Sequence, residues 1–178
     1  AENLRKNERS ATQVQSAIRD MVAQDQRRQR EQTAQQSHKA ASDRASREVR
    51  GNGVFSYPVP GRNILHGFGT YRNPVTNTMA NNPGIDIESP VGSTVRAIAA
   101  GTVSLVSWLP GYMSVIIVDH HNGYRSVYAN MSSVRVRKGQ TLAAQAAIGT
   151  SGESFDGEFV HLQIWKDKER INPLSLLR

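Results

Sequence analysis

Asn82-Pro-Gly-Ile-Asp86-Ile-Glu-Ser-Pro-Val-Gly-Ser-Thr-Val95-Arg-Ala-Ile-Ala-Ala-Gly101 reads as strand, turn and strand. Ile85 and Ile87 alternate with Asp86 and Glu88, so one side of the first strand is apolar and the other polar. Pro90 and Gly92 mark a turn. Val95-Arg-Ala-Ile-Ala is a second short strand, closed by Gly101. Asp86 therefore projects from the face opposite Ile85 and Ile87, a placement that suits a carboxylate beside a groove.

Downstream, short β-like runs alternate with Gly and Pro turns. Thr102 to Trp108 follows Gly101 directly, and Pro110-Gly111 is a turn. Tyr112 to Asp119 is the most apolar strand and should be central. His120-His-Asn-Gly123 is a tight hairpin turn, and Tyr124 to Asn130 returns from it. Ala147-Ile-Gly and Phe159 to Trp165 are the last strands, and Asn172 to Leu177 is a tail with apolar anchors. Upstream, Val54 to Tyr57 and Ile64 to Phe68 are candidate strands, and Gly69 to Asn77 reads as a loop. No stretch of 54–171 has the pattern of a long helix, so residues 51–178 should form an antiparallel, mainly β domain. Within the last strand His161, Gln163 and Trp165 share one face. On the hairpin's return strand Tyr124, Ser126, Tyr128 and Asn130 share another by the same alternation. Asp86, Asn130, His161 and Gln163 are thus candidates for one polar groove.

Residues 1–50 differ sharply. They contain no Gly, Pro or aromatic residue and are rich in Gln, Ala, Arg and Glu, which favours helix. Leu4, Ala11, Val14, Ile18 and Met21 form a thin apolar seam that fails at Asp25 and resumes weakly through Ala34, His38, Ala41, Ala45 and Val49. The seam fits the end of a longer coiled coil or a helix lying on another surface, with Gln-rich disorder competing over 26–40. Gly51-Asn52-Gly53 should end the segment.

The 178-residue chain carries a net charge of +7 and has no cysteine, which excludes disulfides and thiolate metal sites. A basic chain invites nucleic acid or an anionic envelope surface as partner. The cations are spread out, however, and no aromatics interleave with arginines, which argues against nucleic acid. No apolar run is long enough to cross a membrane, and the chain opens without an initiator Met, as a mature or trimmed protein would.

Several motifs, in order, carry a family resemblance: Gly67-Phe-Gly-Thr-Tyr-Arg-Asn-Pro, Gly84-Ile-Asp-Ile, Gly92-Ser-Thr-Val-Arg-Ala, Val115-Ile-Ile-Val-Asp-His, Asn122-Gly-Tyr, Ile148-Gly-Thr-Ser-Gly and Asn172-Pro-Leu. Residues 54–177 resemble the LytM domain, the fold of the M23 zinc endopeptidases that cut peptidoglycan cross-bridges. The resemblance places the family's metal ligands at Asn82, Asp86 and Gln163, where Asp86 alone keeps the family residue. Of the two catalytic histidines one is kept as His161 and the other falls on Asn130. His66, His120 and His121 match no ligand position.

The resemblance therefore implies an inactive homologue with no bound cofactor. Amide oxygens are weak replacements for imidazole at a site that needs three good donors, and without zinc no Lewis acid activates water. A helical segment before a degenerate LytM domain resembles the activators of N-acetylmuramoyl-L-alanine amidases at the bacterial division site. That implies a periplasmic location or one on the outer side of the cytoplasmic membrane. It also implies a cell-wall amidase as partner and a link through the helix to an inner-membrane transporter-like complex, with no nucleic acid. Tyr71, Arg72, Arg125, Tyr128 and Trp165 are the expected partner-binding residues around the remnant groove. A connector between envelope proteins, or a peptidoglycan-binding module, are the alternatives.

Overall fold

The structure, a computed structural model, describes residues 2–36, 55–73, 76–121 and 123–178, with backbone alone at 2–9, 11 and 30–36. The side chains of Leu4, Ala11 and Ala34, and all of His38, Ala41, Ala45, Val49, Gly51-Asn52-Gly53, Val54 and Asn122, lie outside the described residues.

An N-terminal helix, α1 (Glu2–Gln36), precedes an antiparallel β domain, as the sequence pattern predicts. The strands are β1 (Ile64–His66), β2 (Gly69–Arg72), β3 (Met79–Asn82), β4 (Ile85–Glu88), β5 (Thr94–Arg96), β6 (Gly101–Leu109), β7 (Met113–His121), β8 (Tyr124–Val134), β9 (Thr141–Leu142), β10 (Ala147–Ser154), β11 (Gly157–Lys166) and β12 (Glu169–Ile171). Ten of them form one sheet in the order β1-β4-β11-β10-β8-β7-β6-β9, with β5 on β10 and β12 on β11. β11 leaves β10 after Phe159 and pairs with β8 from His161 onward, so β8 is the strand that the others meet. The stretch 69–77, expected as a loop, instead contributes β2, which pairs with β3 in a separate two-stranded hairpin that includes Tyr71↔Ala80.

The middle of the sheet is buried on both faces. On the inner face Ile85, Ile87, Ile116, Val118, Tyr128, Met131, Val160, Leu162 and Ile164 belong to the main core. On the outer face Val115, Ile117, Val127, Ala129 and Trp165 pack against Val14, Ile18 and Val22 of α1. A strand buried on both sides has no polar row to alternate with, which explains the unbroken Val115-Ile-Ile-Val118. The helix presents apolar residues at every fourth position, so they stack along one stripe. Val22, not Met21, continues the stripe beyond Ile18, and Met21 is only half-buried. Of the two arrangements the seam allows, the described part of α1 lies on its own domain.

Asn130 corrects the expected alternation. It has φ 60°, Met113 opposite has φ 55°, and Met131 pairs with both Met113 and Ser114, which makes a β-bulge. The bulge resets the register: Tyr128 and Met131 both face the core, and Tyr128 does not share a groove face with Asn130. The Tyr128 hydroxyl oxygen accepts from the Ile98 N–H at 2.9 Å and from Ser126 Oγ at 2.9 Å. Burial pushes its pKa up to about 12. A Tyr128→Phe protein should keep the fold and lose about 1–3 kcal/mol of stability, because the buried Ile98 N–H loses its acceptor. Urea unfolding monitored by far-UV circular dichroism measures this.

Candidate functional site: a closed polar network in place of a metal centre

β4 and β11 build the site. Their register sets Asp86 opposite His161, and Ile85 and Ile87 anchor β4 in the core beneath it. Asp86 is 7% exposed and both of its oxygens are occupied. Oδ1 lies 2.6 Å from His161 Nδ1, and Oδ2 lies 3.0 Å from His66 Nδ1 and 3.1 Å from Asn82 Nδ2. His161 Nε2 is 3.1 Å from Gln163 Nε2, and Gln163 Oε1 accepts from Trp165 Nε1 at 3.0 Å. Tyr112 packs edge-on against His161 with ring centroids 5.5 Å apart, and its pKa is pushed up to about 12 by burial and then by the Asp86 charge.

Proton bookkeeping fixes the network. An indole N–H can only donate, so Gln163 must turn its oxygen to Trp165 and its NH₂ to His161. His161 Nε2 then accepts, and His161 Nδ1–H donates to Asp86. At the other end the Asn82 oxygen accepts from the Gly84 N–H at 3.0 Å while its NH₂ donates to Asp86. The amide oxygens of Asn82 and Gln163 and the free imidazole nitrogen of His161 are therefore already engaged.

This donor set does not fit the zinc ion of the resembled family. Two neutral amides stand at two ligand positions with their oxygens committed elsewhere, and among the described residues no group of three or more His, Cys, Asp or Glu could hold a metal. Neither His120 nor His121 rescues the site. His120 Nδ1 and Nε2 contact Ala100 O at 2.8 Å and Ser126 Oγ at 2.7 Å, and exposed His121 ends β7 with φ 62°. Asn130 is buried nearby but not joined to the network: its NH₂ donates to Phe159 O at 2.7 Å, its N–H donates to Tyr112 O, and its Oδ1 has no partner among the described residues.

The expected partner-binding residues separate into three groups. Trp165 and Arg125 sit in register across β11 and β8 and are both buried on the face under α1. Arg125 Nη2 donates to Asp25 of α1 at 2.5 Å and to Asp119 at 3.3 Å, and Ser10 Oγ donates to Pro110 O at the other end of the covered face. Tyr71 and Arg72 lie on β2: Tyr71 stacks on His66 with centroids 4.9 Å apart, and exposed Arg72 bonds Asn77. Tyr128 lies in the core. Sequence reasoning missed His66 as a member of the site. It also missed Asp25, whose partner is 100 residues away; its one sequence signal is a carboxylate three residues past the apolar stripe.

Two consequences can be measured. Reinstating the imidazoles in an Asn82→His/Gln163→His protein should create zinc affinity that the parent lacks, read by competition with a chromogenic chelator. The second concerns pH. Hydrogen bonding to Asp86 raises the His66 pKa above its ordinary 6.5. Asp86 is driven up by burial but pulled further down by His161 and His66, ending below 3.8. The His66 contribution to stability is thus complete below 6.5 and fades as pH rises through the raised folded value. The Asp86 contribution is present above 3.8 and fades as pH falls through the lowered folded value. The stability gap between the parent and a His66→Gln protein should be wider at about pH 5 than at about pH 8.5. Half-buried His120, whose pKa is lowered by desolvation, acts alike in both proteins.

Residues 80–173 match the sequence profile of Peptidase family M23. The uncharacterized lipoprotein YgeR of Escherichia coli is 32% identical over 158 residues, covering 83% of this chain and 59% of its own length. The chain spans 15–59% of the length of the curated relatives it matches. A chain of the SpoIIQ–SpoIIIAH pore-forming complex superposes with TM-score 0.61 and 26% identity over 70% of this chain and 90% of that one. A putative peptidase M23 from Pseudomonas aeruginosa, 22% identical, shares the fold over 99% of this chain and 62% of its own, with TM-score 0.64. With its scaffold kept and amides at two of the positions that the resemblance assigns to metal ligands, the chain belongs to peptidase family M23 as a degenerate member.

Proposed function

We propose that this chain is a non-catalytic envelope protein that works through a protein it binds, using the outer sheet face and remnant groove as contact surface and α1 as a removable cover. The carrying observation is the location of Arg125 and Trp165. They are the cation and the aromatic best suited to anchor a partner, and both are sealed under α1 by Val14, Ile18, Val22 and Asp25. Each apolar side chain buried there is worth roughly 1.5–3 kcal/mol before the cost of ordering the helix. A partner helix or strand with comparable apolar anchors and a carboxylate could compete for the same face.

The likeness to a chain of a two-protein complex supports a structural role beside other envelope or division proteins, and the lipoprotein relative supports an extracytoplasmic site, in the periplasm or at a membrane surface. Within that class the partner we favour is an N-acetylmuramoyl-L-alanine amidase, activated when α1 is displaced, with the helix relaying a signal from an inner-membrane complex. The cover is what favours a regulator: a permanent connector has no need to hide its contact face.

An Ile18→Asp protein should release α1 while leaving Arg125 and Trp165 intact. We expect it to bind the amidase at least about tenfold more tightly than the parent, a shift of about 1.4 kcal/mol, and to raise dye release from labelled peptidoglycan only when the amidase is present. Adding Arg125→Glu should abolish both effects. Equal binding by the parent and Ile18→Asp proteins would end the cover reading. Tight stoichiometric binding without dye release would replace the activator by a connector.

A further inference from the structure

We propose that the outward face formed by β5, the start of β10 and the end of β8 docks the protein on an anionic lipid bilayer through Arg96, Arg135, Arg137 and Lys138. The register assembles this face. Arg96 pairs with Ala147, and Gly149 is flanked by Val95 on one side and Val134 on the other. β5 and the end of β8 therefore run on either side of β10, about 10 Å apart. Val95, Ala97, Val134 and Val136 face the core, so Arg96, Arg135 and Arg137 point outward by alternation, and all are exposed. Lys138 extends the row into a turn closed by the Gln140 N–H to Arg137 O bond.

Among the described residues none of these four cations has a carboxylate partner; Arg96 bonds only the Gln145 carbonyl. The nearest concentration of acids, Glu88, Glu153, Asp156 and Glu158, lies around the β10–β11 hairpin, at the other end of β10. The net charge of the chain is thus unevenly placed, and this face carries an undiluted share. Hydroxyls accompany the cations: Ser133 and Thr150 are paired at 2.6 Å, and Thr150 is in register with Thr94.

The shape selects the ligand. A broad open face suits a plane of lipid phosphates better than a discrete anion: Arg96 ends β5, and the Arg135 N–H donates to the Ile148 carbonyl of β10, which ties the segment after β8 to the sheet. None of the large exposed apolar side chains belongs to β5, β8 or β10, so attachment is peripheral and electrostatic rather than insertive. Such attachment would hold the protein beside a membrane whatever partner it binds.

The test is co-sedimentation of the full chain with phosphatidylglycerol–phosphatidylcholine vesicles and with pure phosphatidylcholine vesicles. Binding is expected with the anionic vesicles alone and should be lost at about 0.5 M salt. An Arg96→Gln/Arg135→Gln/Arg137→Gln protein should bind at least about tenfold more weakly. An Arg62→Gln/Lys168→Gln/Arg178→Gln protein, equal in charge lost, should bind as the parent does, with circular dichroism verifying that both are folded. No sedimentation, or equal loss in the two variants, would overturn the proposal. Soluble polyphosphate or duplex DNA binding as tightly as the vesicles, with the same variant sensitivity, would overturn the bilayer assignment in favour of a free polyanion.

Discussion

The outer face of the sheet cannot be left to water. Val115, Ile117, Val127, Ala129 and Trp165 present a continuous apolar patch on the side away from the main core, and α1 covers it with Val14, Ile18 and Val22. Other features follow from this need. The helix runs from Pro110 to Arg125 because those are the ends of the patch, marked by Ser10 and Asp25. The buried Arg125 charge is tolerated because Asp25 and Asp119 both reach it. Trp165, held under the helix, fixes the amide of Gln163, and through it the imidazole of His161 and the carboxylate of Asp86.

That chain of bonds also occupies the polar atoms at the positions that the resemblance assigns to metal ligands. Asn82 and Gln163 close the network as donor and acceptor at once, which an imidazole in the same place could do only in one fixed tautomer. The site is thus closed by satisfied hydrogen bonds among buried groups. Asn130 remains the exception, with a buried oxygen that meets no partner among the described residues.

Much of the fold was legible in the sequence, and the failures are instructive. The Ile85-Asp86-Ile87 alternation, the apolar run of β7 and the Asn-Gly hairpin carry their own physics, because period and turn chemistry are local. The grouping of Asp86, His161 and Gln163 was legible for the same reason. Tyr128 was misplaced because strict alternation is blind to a bulge, and a left-handed Asn130 is not signalled by any neighbour. The burial of Trp165 and Arg125 was not legible, since it depends on a helix more than 80 residues upstream in sequence. His66 was passed over because its partner is set by a β1–β4 register that includes an irregularity.

The cover and the covered face belong to one polypeptide. Docking of α1 is therefore first order, and its equilibrium does not change when the protein is diluted or concentrated, unlike a dimer sealed by the same contacts. A competitor for the face meets a fixed handicap: its apparent dissociation constant is the intrinsic one divided by the fraction of uncovered molecules. Changing one stripe residue rescales that fraction for every competitor at once, so under the proposed function the strength of α1 docking would set the threshold of the response.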